Sequence, residues 1–447
     1  MAVIKTNLIR MILVCVALTL TCSGATHYVV PCNTGNASPY TNWATAATNI
    51  QDAVNVARTS SAPRVVWVSN GVYCLTNQIT VDSAVTVASV NGRELTIVDG
   101  NYPNVTNRCF NVSTNSVLDG FTVRNGCVLT VGGAGVYAIA GAKIQNCRII
   151  SNMTYSTWAG GIRMTEGGTI SNCEILGNIK LAGTGAGGGA GIYLEYSGSG
   201  VATSLIVNCI IASNTIGSIT SSDIYYGGGI CLFNTSNTLV DKCVIYGNSC
   251  LGSGGSYGGG MYLKSGAIRD TLIYSNFVGA NSKGGGIYMP SYGSVQDCTI
   301  VSNSAGQAGG GVYCTSYYPG TTSFENVICY LNTSASGSNF TFSPPSSSAT
   351  GFVYIVNSCI VPTSAFPSSA GGYYYANNIE SNPQFVNKDG NDFRLVLGSP
   401  CVNAGTNEDW MAGALDLDGR SRIDRFSGVV DMGCYEYLPR GVMLSIP

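Results

Sequence analysis

Two short motifs alternate along the middle of this 447-residue chain, and they constrain its fold more than any other feature. The first is a run of glycine or alanine followed by an apolar residue and often tyrosine. Its copies end at Tyr137, Arg163, Tyr193, Cys231, Tyr262, Tyr288 and Tyr313. The second follows the pattern Asn-Cys-x-Ile-x-Ser/Gly-Asn, with substitutions. Its copies end at Asn152, Asn178, Asn214, Asn248, Asn276, Asn303 and Asn332. Seven copies of each motif indicate a repeat architecture.

The spacing of the first motif indicates what each repeat becomes. Successive copies end 25 to 38 residues apart, and such irregular lengths fit coils that share a frame but carry loops of different size. The short apolar alternation is typical of strands, and each glycine would oppose a helix by about 1 kcal/mol. The sequence therefore predicts an all-β stack of about nine to eleven coils, with equivalent residues about 4.8 Å apart.

Two columns of the stack follow from the second motif. Its cysteines share one position with isoleucine two residues later, so both side chains are expected to point inward; they are Cys147, Cys173, Cys209, Cys243 and Cys298. Free thiols are favoured over disulfides there, because every copy would compete for partners. The terminal asparagines are expected to form a hydrogen-bonded ladder, in turns with left-handed backbone.

The N-terminal region predicts export. Residues 1–25 carry two basic residues and then a ten-residue apolar run, which is typical of a signal peptide cleaved after Ala25; lipidation at Cys22 is the less favoured alternative. No later stretch is apolar enough to span a membrane. The pattern of Asn49–Ala57 predicts an amphipathic helix that covers the open N-terminal end of the stack. We expect a monomer that is secreted or held on the outer cell surface.

The remaining chain divides at residue 378. Residues 26–377 hold the repeats, with 26–64 as the N-terminal cap region. Residues 378–447 lack the glycine motif and contain 10 of the 23 acidic residues, which predicts a separate C-terminal cap or anchor segment. The net charge of −2 argues against nucleic acid as a partner, and a single histidine argues against triad catalysis or a histidine-rich metal site.

Together with the repeats, the Thr26–Val29 start and the helix beginning Thr48-Asn49-Ile50 resemble right-handed parallel β-helix proteins of the pectate-lyase-like superfamily. The glycine and asparagine signals also resemble repeats of chlamydial polymorphic outer-membrane proteins. The tail resembles the "choice-of-anchor Q" region, through the stretches 382–385, 398–401, 416–420 and 431–436. The resemblance implies a right-handed solenoid, but the superfamily contains lyases, hydrolases, epimerases and non-catalytic adhesins, so it leaves the activity open.

One acidic pair is a weak catalytic candidate. Asp270 and Asp297 occupy the same motif column in successive coils, with Lys242 one coil earlier. Two adjacent carboxylates would shift each other's pKa and could flank a glycosidic bond or a cation. The favoured alternative is that aspartate replaces asparagine in a turn ladder, where Asn would be tolerated, because no further acidic residue joins the pair.

Two further groups are candidates for binding. Tyr193, Tyr262, Tyr288 and Tyr313 are expected to face outward, where an exposed stripe could stack on sugar rings or could simply be the face of a β-sheet. Asp416 and Asp418 precede Gly419 as in part of a calcium loop, although they could equally pair with Arg420 and Arg422. No cofactor is required, and calcium is the one that the sequence allows.

These observations favour a non-catalytic, exported protein that acts in adhesion or carbohydrate binding, with a polysaccharide or cell-surface glycan as partner. The alternative is a polysaccharide lyase or glycoside hydrolase acting on an acidic, plant or algal polysaccharide. The resemblance implies that a lyase of this superfamily would hold calcium with clustered acidic residues and use a lysine or arginine as its base, whereas a hydrolase would use grouped carboxylates. A cluster of three or more acidic and basic side chains in one groove would distinguish the enzyme.

Overall fold

The computed structural model describes residues 24–113, 115–181, 187–196, 203–217, 224–252, 254–315, 320–343, 352–361 and 373–437. Almost all of the expected signal peptide and the last ten residues lie outside the described residues. Three long sheets of in-register parallel strands dominate the structure. The chain passes from sheet 1 to sheet 2 to sheet 3 and then begins the next coil, so the fold is a parallel β-helix.

Sheet 1 has thirteen strands. In order they are Ala25–Val29, Arg64–Val68, Val85–Ser89, Val117–Asp119, Ala142–Gln145, Gly168–Ser171, Ser204–Val207, Thr238–Asp241, Ala267–Arg269, Gly293–Gln296, Thr321–Glu325, Phe352–Val356 and Tyr373–Ala376. Sheet 2 has eleven strands. They are Gly71–Cys74, Thr96–Asp99, Thr122–Arg124, Arg148–Ile150, Glu174–Leu176, Ile210–Ala212, Val244–Tyr246, Leu272–Tyr274, Thr299–Val301, Ile328–Tyr330 and Cys359–Ile360.

Sheet 3 has ten strands. They are Ile79–Val81, Phe110–Val112, Val136–Ile139, Ile162–Thr165, Ile192–Glu195, Ile230–Phe233, Met261–Leu263, Ile287–Met289, Val312–Thr315 and Phe340–Ser343. Ten coils therefore contribute to all three sheets in the described residues, within the predicted nine to eleven.

Shorter strands lie between sheets 2 and 3. Eight form sheet 4: Cys127–Val128, Met153–Thr154, Ile179–Leu181, Thr215–Gly217, Ser249–Cys250, Phe277–Val278, Ser304–Ala308 and Thr333–Ser336. Three more pair as Gly187–Gly188, Tyr225–Tyr226 and Ser256–Tyr257. The tail adds an antiparallel hairpin and two 3-10 turns: Phe385–Asn387, Asp392–Leu395, Lys388–Gly390 and Asp409–Met411.

The predicted N-terminal helix is confirmed at Ile50–Ala57. The Asn49 side chain accepts the backbone N–H of Asp52 at 2.9 Å, which caps the first turn. Its buried face joins the core of the first coil and consists of Ile50, Ala53, Val54 and Ala57. No helix of the described residues is long and apolar enough to cross a membrane.

The two sequence motifs meet inside the stack. Each terminal asparagine is buried, and its carboxamide bonds to the next along the helix axis; Asn214 Nδ2 donates to Asn248 Oδ1 at 2.9 Å. The glycine runs pass close to this ladder. A Cβ on Gly260 would lie 2.9 Å from Asn276 Nδ2 and 2.8 Å from the carbonyl oxygen of Gly286. Glycine and asparagine therefore recur together because the ladder leaves no room for a side chain.

The interior position of the cysteine column is confirmed, since its five members are at most 1% exposed. The expectation of left-handed backbone at the terminal asparagines is wrong. The positive φ angles instead fall on two other positions: the residue before each cysteine position, for example 54° at Asn146, and the residue before each ladder asparagine, for example 54° at Ser151. The first position turns the chain between sheets 1 and 2 and the second turns it after sheet 2, whereas the ladder asparagine uses its side chain to satisfy buried backbone groups.

The sequence predicted that the C-terminal segment ends or caps the stack. In the structure the segment has a further role. It folds back along the outer face of sheet 2, where Phe393 and Cys434 pack against Leu272 and Val301. The backbone N–H of Cys434 donates to Thr299 Oγ1 at 3.1 Å. The segment therefore covers the side of the last coils and brings its polar residues against the turns of the repeat.

Candidate functional site

The predicted alignment of Lys242, Asp270 and Asp297 is confirmed. All three adopt left-handed turns with φ near 50°, in the column that holds asparagine in other coils. Lys242 Nζ lies 3.6 Å from Asp270 Oδ2. Both aspartates are fully buried, whereas the Lys242 side chain is 24% exposed.

Arg422 of the tail covers this pair. Its guanidinium is fully buried and lies 2.5 Å from Asp297 Oδ1 through Nη2 and 3.4 Å from Asp270 Oδ1 through Nε. Nη1 lies 3.1 Å from Glu436 Oε1 and donates to the carbonyl oxygen of Gly433 at 3.0 Å. The three carboxyl groups face a single guanidinium, so this buried cluster joins the tail to the β-helix.

The cluster is short of positive charge, and its pKa values reflect this. Burial raises the pKa of Asp297 to about 7, and the neighbouring Asp270 adds to the shift against the opposing effect of Arg422. Burial likewise raises the pKa of Asp270 to about 6 and that of Glu436 to about 9. With both aspartates enclosed, this pair has no surface that a polymeric substrate could contact.

Asp416 and Asp418 have structural partners in the tail. Asp416 Oδ1 accepts the backbone N–H groups of Asp418 at 2.9 Å and Arg420 at 2.7 Å, and its Oδ2 accepts that of Glu436 at 2.7 Å. Asp418 binds the Arg394 guanidinium at 2.6 and 2.8 Å. Among the described residues, no group of three or more His, Cys, Asp or Glu side chains could hold a metal ion. Calcium at this turn stays a prediction.

The tyrosine column faces away from the main core, on the outer side of sheet 3, but the expectation of an exposed stripe is wrong. Tyr193, Tyr262 and Tyr313 are only 5–6% exposed, and Tyr288 is half-buried. The rings stack on each other, with centroids 5.6 Å apart for Tyr262 and Tyr288 and 5.5 Å for Tyr288 and Tyr313. A second layer containing Tyr226 and Tyr257 packs over them.

Cations line the same side of sheet 3. The Arg163 guanidinium lies 4.1 Å from the Trp158 ring and 5.2 Å from the Tyr137 ring, and it pairs with Glu195. Lys283 Nζ donates to the Tyr313 hydroxyl at 3.2 Å. Because stacking occupies the ring faces, the column offers a ligand mainly hydroxyl groups and ring edges.

Sequence reasoning missed a more exposed aromatic surface on sheet 1. We call Tyr292, Phe352, Tyr354 and Tyr374 the aromatic face; their exposed fractions are 39%, 51%, 38% and 55%. The rings of Tyr354 and Tyr374 are 6.0 Å apart on neighbouring strands. The signal was present as alternation in Phe352–Val356, where the outward residues Phe352 and Tyr354 are aromatic, but this strand lies after the last clear copy of the motifs.

A cluster of charged side chains adjoins the aromatic face on sheet 1. Arg269 Nε and Nη2 bind Asp241 at 3.1 and 3.0 Å, and the guanidinium lies 4.1 Å from the Trp410 ring. In the next two coils, Gln296 Nε2 donates to the Glu325 carboxylate at 3.1 Å. Residues 241, 269, 296 and 325 share one outward column.

The tail borders this column and adds a carboxyl group to it. Asn326 and Thr406 exchange two hydrogen bonds of 2.8 and 2.9 Å, which fixes the tail beside Glu325. Burial raises the pKa of Glu408, and the charge of Glu325 adds to the shift. The tail thus adds Glu408 beside Glu325, in a column whose other charged members lie up to 167 positions from Glu408 in the sequence, which explains why the sequence did not reveal this surface.

Comparisons with known proteins agree with the fold. A family model described as the right-handed β-helix region matches residues 132–328. A search of curated proteins found no match. Among solved structures, the crystal structure of pectate lyase Pel9A is similar, with a TM-score of 0.54 and 17% sequence identity over 93% of this chain and 98% of that one. The chain is therefore a right-handed parallel β-helix, as predicted, and an identity this low carries no information on activity.

Proposed function

We propose that this protein is an exported, non-catalytic β-helix that binds a polysaccharide or cell-surface glycan along the outer face of sheet 1. The exposed aromatic face is the observation that carries the proposal. Aromatic rings offer apolar faces to sugar rings, and exposed apolar patches mark binding surfaces. Ser294 and Ser323 lie in the same outward column as Tyr354 and Tyr374, so polar groups that can bond to sugar hydroxyls continue the surface.

The geometry of the charged cluster supports binding over catalysis. Arg269 is engaged by both oxygens of Asp241 and packed on Trp410, so its guanidinium is held by two partners. A general base must reach the proton that it removes and have a pKa matched to that task. The cluster is therefore better suited to orienting polar groups of a bound chain than to proton transfer.

An enzyme is the second candidate, and one observation favours it. Two carboxyl groups, those of Glu325 and Glu408, lie close together at the edge of an open sheet face, and the pKa of Glu408 is raised by burial and by the charge of Glu325. A carboxylic acid with a raised pKa can act as a general acid in a glycoside hydrolase. On this alternative Glu408 or Glu325 would carry the reaction, and not the enclosed Asp270 and Asp297.

The function is tested first by a glycan array with the full chain, followed by measurement of the Kd for the best ligand. Substituting Tyr354→Ala and Tyr374→Ala together should weaken binding about tenfold or more, because each stacked ring contributes on the order of 1 kcal/mol. The matched control is Tyr262→Phe with Tyr288→Phe, which keeps the stacked column and removes its hydroxyl groups. Loss of binding in the control alone would move the site to the tyrosine column on sheet 3.

Turnover assays on the bound polysaccharide separate the two candidates. The non-catalytic proposal expects neither unsaturated products nor new reducing ends. If either accumulates with the wild-type chain and is lost in Glu408→Gln, the enzyme replaces the binding protein. Export is tested by expressing the full chain and sequencing the N-terminus of the mature protein, where cleavage after Ala25 is expected. The likeness of the tail to a choice-of-anchor region is part of this proposal, and cell-surface retention of the chain would support it.

A further inference from the structure

Most cysteines of the described residues lie in the interior. Fourteen are buried and free in the structure, and two, Cys32 and Cys74, are exposed. Four of the buried ones form a continuous ladder in which each thiol contacts the next along the helix axis: Cys147, Cys173, Cys209 and Cys243. An inner member of this ladder has two equivalent neighbours. No single partner is therefore specified, which agrees with the expectation of free thiols.

Cys359 and Cys401 form a different arrangement. Cys359 is in the last strand of sheet 2, whereas Cys401 is in the tail, and the two thiols are in hydrogen-bond contact with each other. Both are fully buried in one apolar cluster with Ile328, Leu395 and Met432. This contact joins two parts of the chain that differ in sequence and structure, and it lies outside the ladder.

The backbone holds the two sulfur atoms in place. The N–H of Cys359 donates to the carbonyl oxygen of Val327 at 2.8 Å, and the carbonyl oxygen of Cys401 accepts the N–H of Met432 at 3.0 Å. The Cys359 thiol donates to the carbonyl oxygen of Ser381 at 3.3 Å, so its sulfur is left to accept from Cys401. Cys359 and Cys401 are thus brought together by the docking of the tail, and a bond between them would lock it onto the β-helix.

We propose that Cys359 and Cys401 form a disulfide when the chain folds under oxidising conditions. Each thiol gives up a proton and one electron as the sulfur–sulfur bond forms, and the two electrons reduce the disulfide of a small-molecule or protein oxidant to two thiols. This modification site rests on the proposed export, because disulfides persist in oxidising compartments. The bond forms while the tail docks, since the folded protein encloses both sulfur atoms.

The pairing is tested without relying on export. The full chain is denatured, refolded in a buffer of reduced and oxidised glutathione, alkylated in denaturant without reductant, and mapped by mass spectrometry. A cross-linked peptide pair containing residues 359 and 401 is expected, while Cys147 and Cys173 are alkylated. Labelling of the folded chain before denaturation provides the positive control, because Cys32 and Cys74 are exposed. Alkylation of both Cys359 and Cys401, or their linkage to other cysteines, would overturn the proposal.

A second measurement covers the consequence for stability. Reductant should lower the thermal midpoint of the refolded wild-type chain by about 5 °C or more, because the bond closes a loop of about forty residues. The Cys359→Ala, Cys401→Ala double variant should show no such response, and the matched control Cys147→Ala should respond as the wild type does. An equal response of the double variant contradicts the proposal. Glycan binding, measured on the same preparations, reports separately on the proposed function.

Discussion

The β-helix and its C-terminal segment bury polar groups in opposite ways. Inside the β-helix, one neutral asparagine carboxamide occurs in each coil, and each carboxamide forms hydrogen bonds with the carboxamide of the next coil. Under the tail, one guanidinium meets three carboxyl groups, and such a cluster occurs once in the part of the chain that the structure describes. A repeated neutral ladder costs little to extend, since every copy supplies the partner of its neighbour. The single charged cluster depends on parts that are distant in sequence, so its loss should affect docking of the tail and leave the repeats intact.

The outer face of sheet 2 shows where one arrangement gives way to the other. One outward column carries Arg148 and Glu174 in the early coils, and it becomes apolar at Val244, Leu272 and Ile328. The charged part forms partly buried ion pairs with the 93–94 turn, while the tail covers the apolar part. The change in polarity thus marks the docking surface of the tail.

Replacing Arg422 by methionine should have the largest effect on this comparison. Removing one member of a buried ion cluster leaves uncompensated charge and typically costs about 3–5 kcal/mol. We expect the tail to become sensitive to limited proteolysis while the β-sheet circular dichroism of the coils persists. Arg425→Met is the matched control, because Arg425 is exposed. A protease-resistant tail in the Arg422 variant would show that apolar packing alone holds it.

Asn248→Ala should have the next largest effect, and it should act on the coils. The substitution leaves the N–H of Asn214 and the carbonyl oxygen of Ile211 without their side-chain partner. Each buried orphan costs about 1–3 kcal/mol, so we expect a loss of about 2–4 kcal/mol in urea unfolding. The exposed Asn104→Ala is the control. Equal stability of the two variants would contradict a structural role of the ladder.

Docking of the tail should weaken as the pH rises. The folded-state pKa of Asp297 is raised from its ordinary value of 3.8 to about 7, so the folded protein binds this proton more tightly than the unfolded chain. Its stabilising contribution is complete below pH 4 and is lost as the pH rises through 7. We expect proteolysis of the tail to be faster at pH 8 than at pH 5, because the free energy of opening the tail should be about 1–2 kcal/mol lower at pH 8.

The Asp297→Asn variant checks the origin of this pH dependence. It should make the pH dependence shallower without removing it, because the amide does not titrate whereas Asp270 and Glu436 still do, and it also weakens the pairing with Arg422. The sequence had suggested that asparagine is freely accepted at this position, as in the neighbouring coils. The structure revises that expectation, since Asp297 and Asp270 pair with the buried Arg422, whereas the asparagines described in this column do not. Proteolysis that is faster at pH 5 than at pH 8 in the wild-type chain would contradict the assigned role of the buried carboxyl groups.

Arg148→Ala should have the smallest effect. Its guanidinium bonds to Glu94 at 2.8 Å and to Glu174 at 2.6 Å, but its side chain is 28% exposed. Ion pairs near the surface contribute about 0–1 kcal/mol and are screened by salt, and the less exposed Glu174 keeps Arg93 as a partner. We expect a change below about 1 kcal/mol in urea unfolding that shrinks further at high salt. A loss as large as that of the Arg422 variant would show that the exposed network also fixes the fold.

The fold could be predicted because its determinants are local and repeated. Seven copies of a glycine run and an asparagine motif indicated stacked strands, and the helix pattern at Ile50–Ala57 indicated the cap. The inward cysteines followed from alternation with isoleucine. The prediction for the tyrosines was only half correct. They point away from the main core, but they are covered by a second layer of side chains that the repeat motifs do not predict.

The sequence by itself determined the stack of coils, its core and its internal ladder. Each contact there joins one repeat to the next, and the residues that make it recur at the same position of every repeat. Only the tertiary structure decided what surrounds the stack. Arg422 meets Asp297 across 125 residues, and Cys401 meets Cys359 through the docking of the tail. Such contacts depend on where a non-repeating segment comes to rest, and that position follows from the packing of whole surfaces, which no local pattern contains.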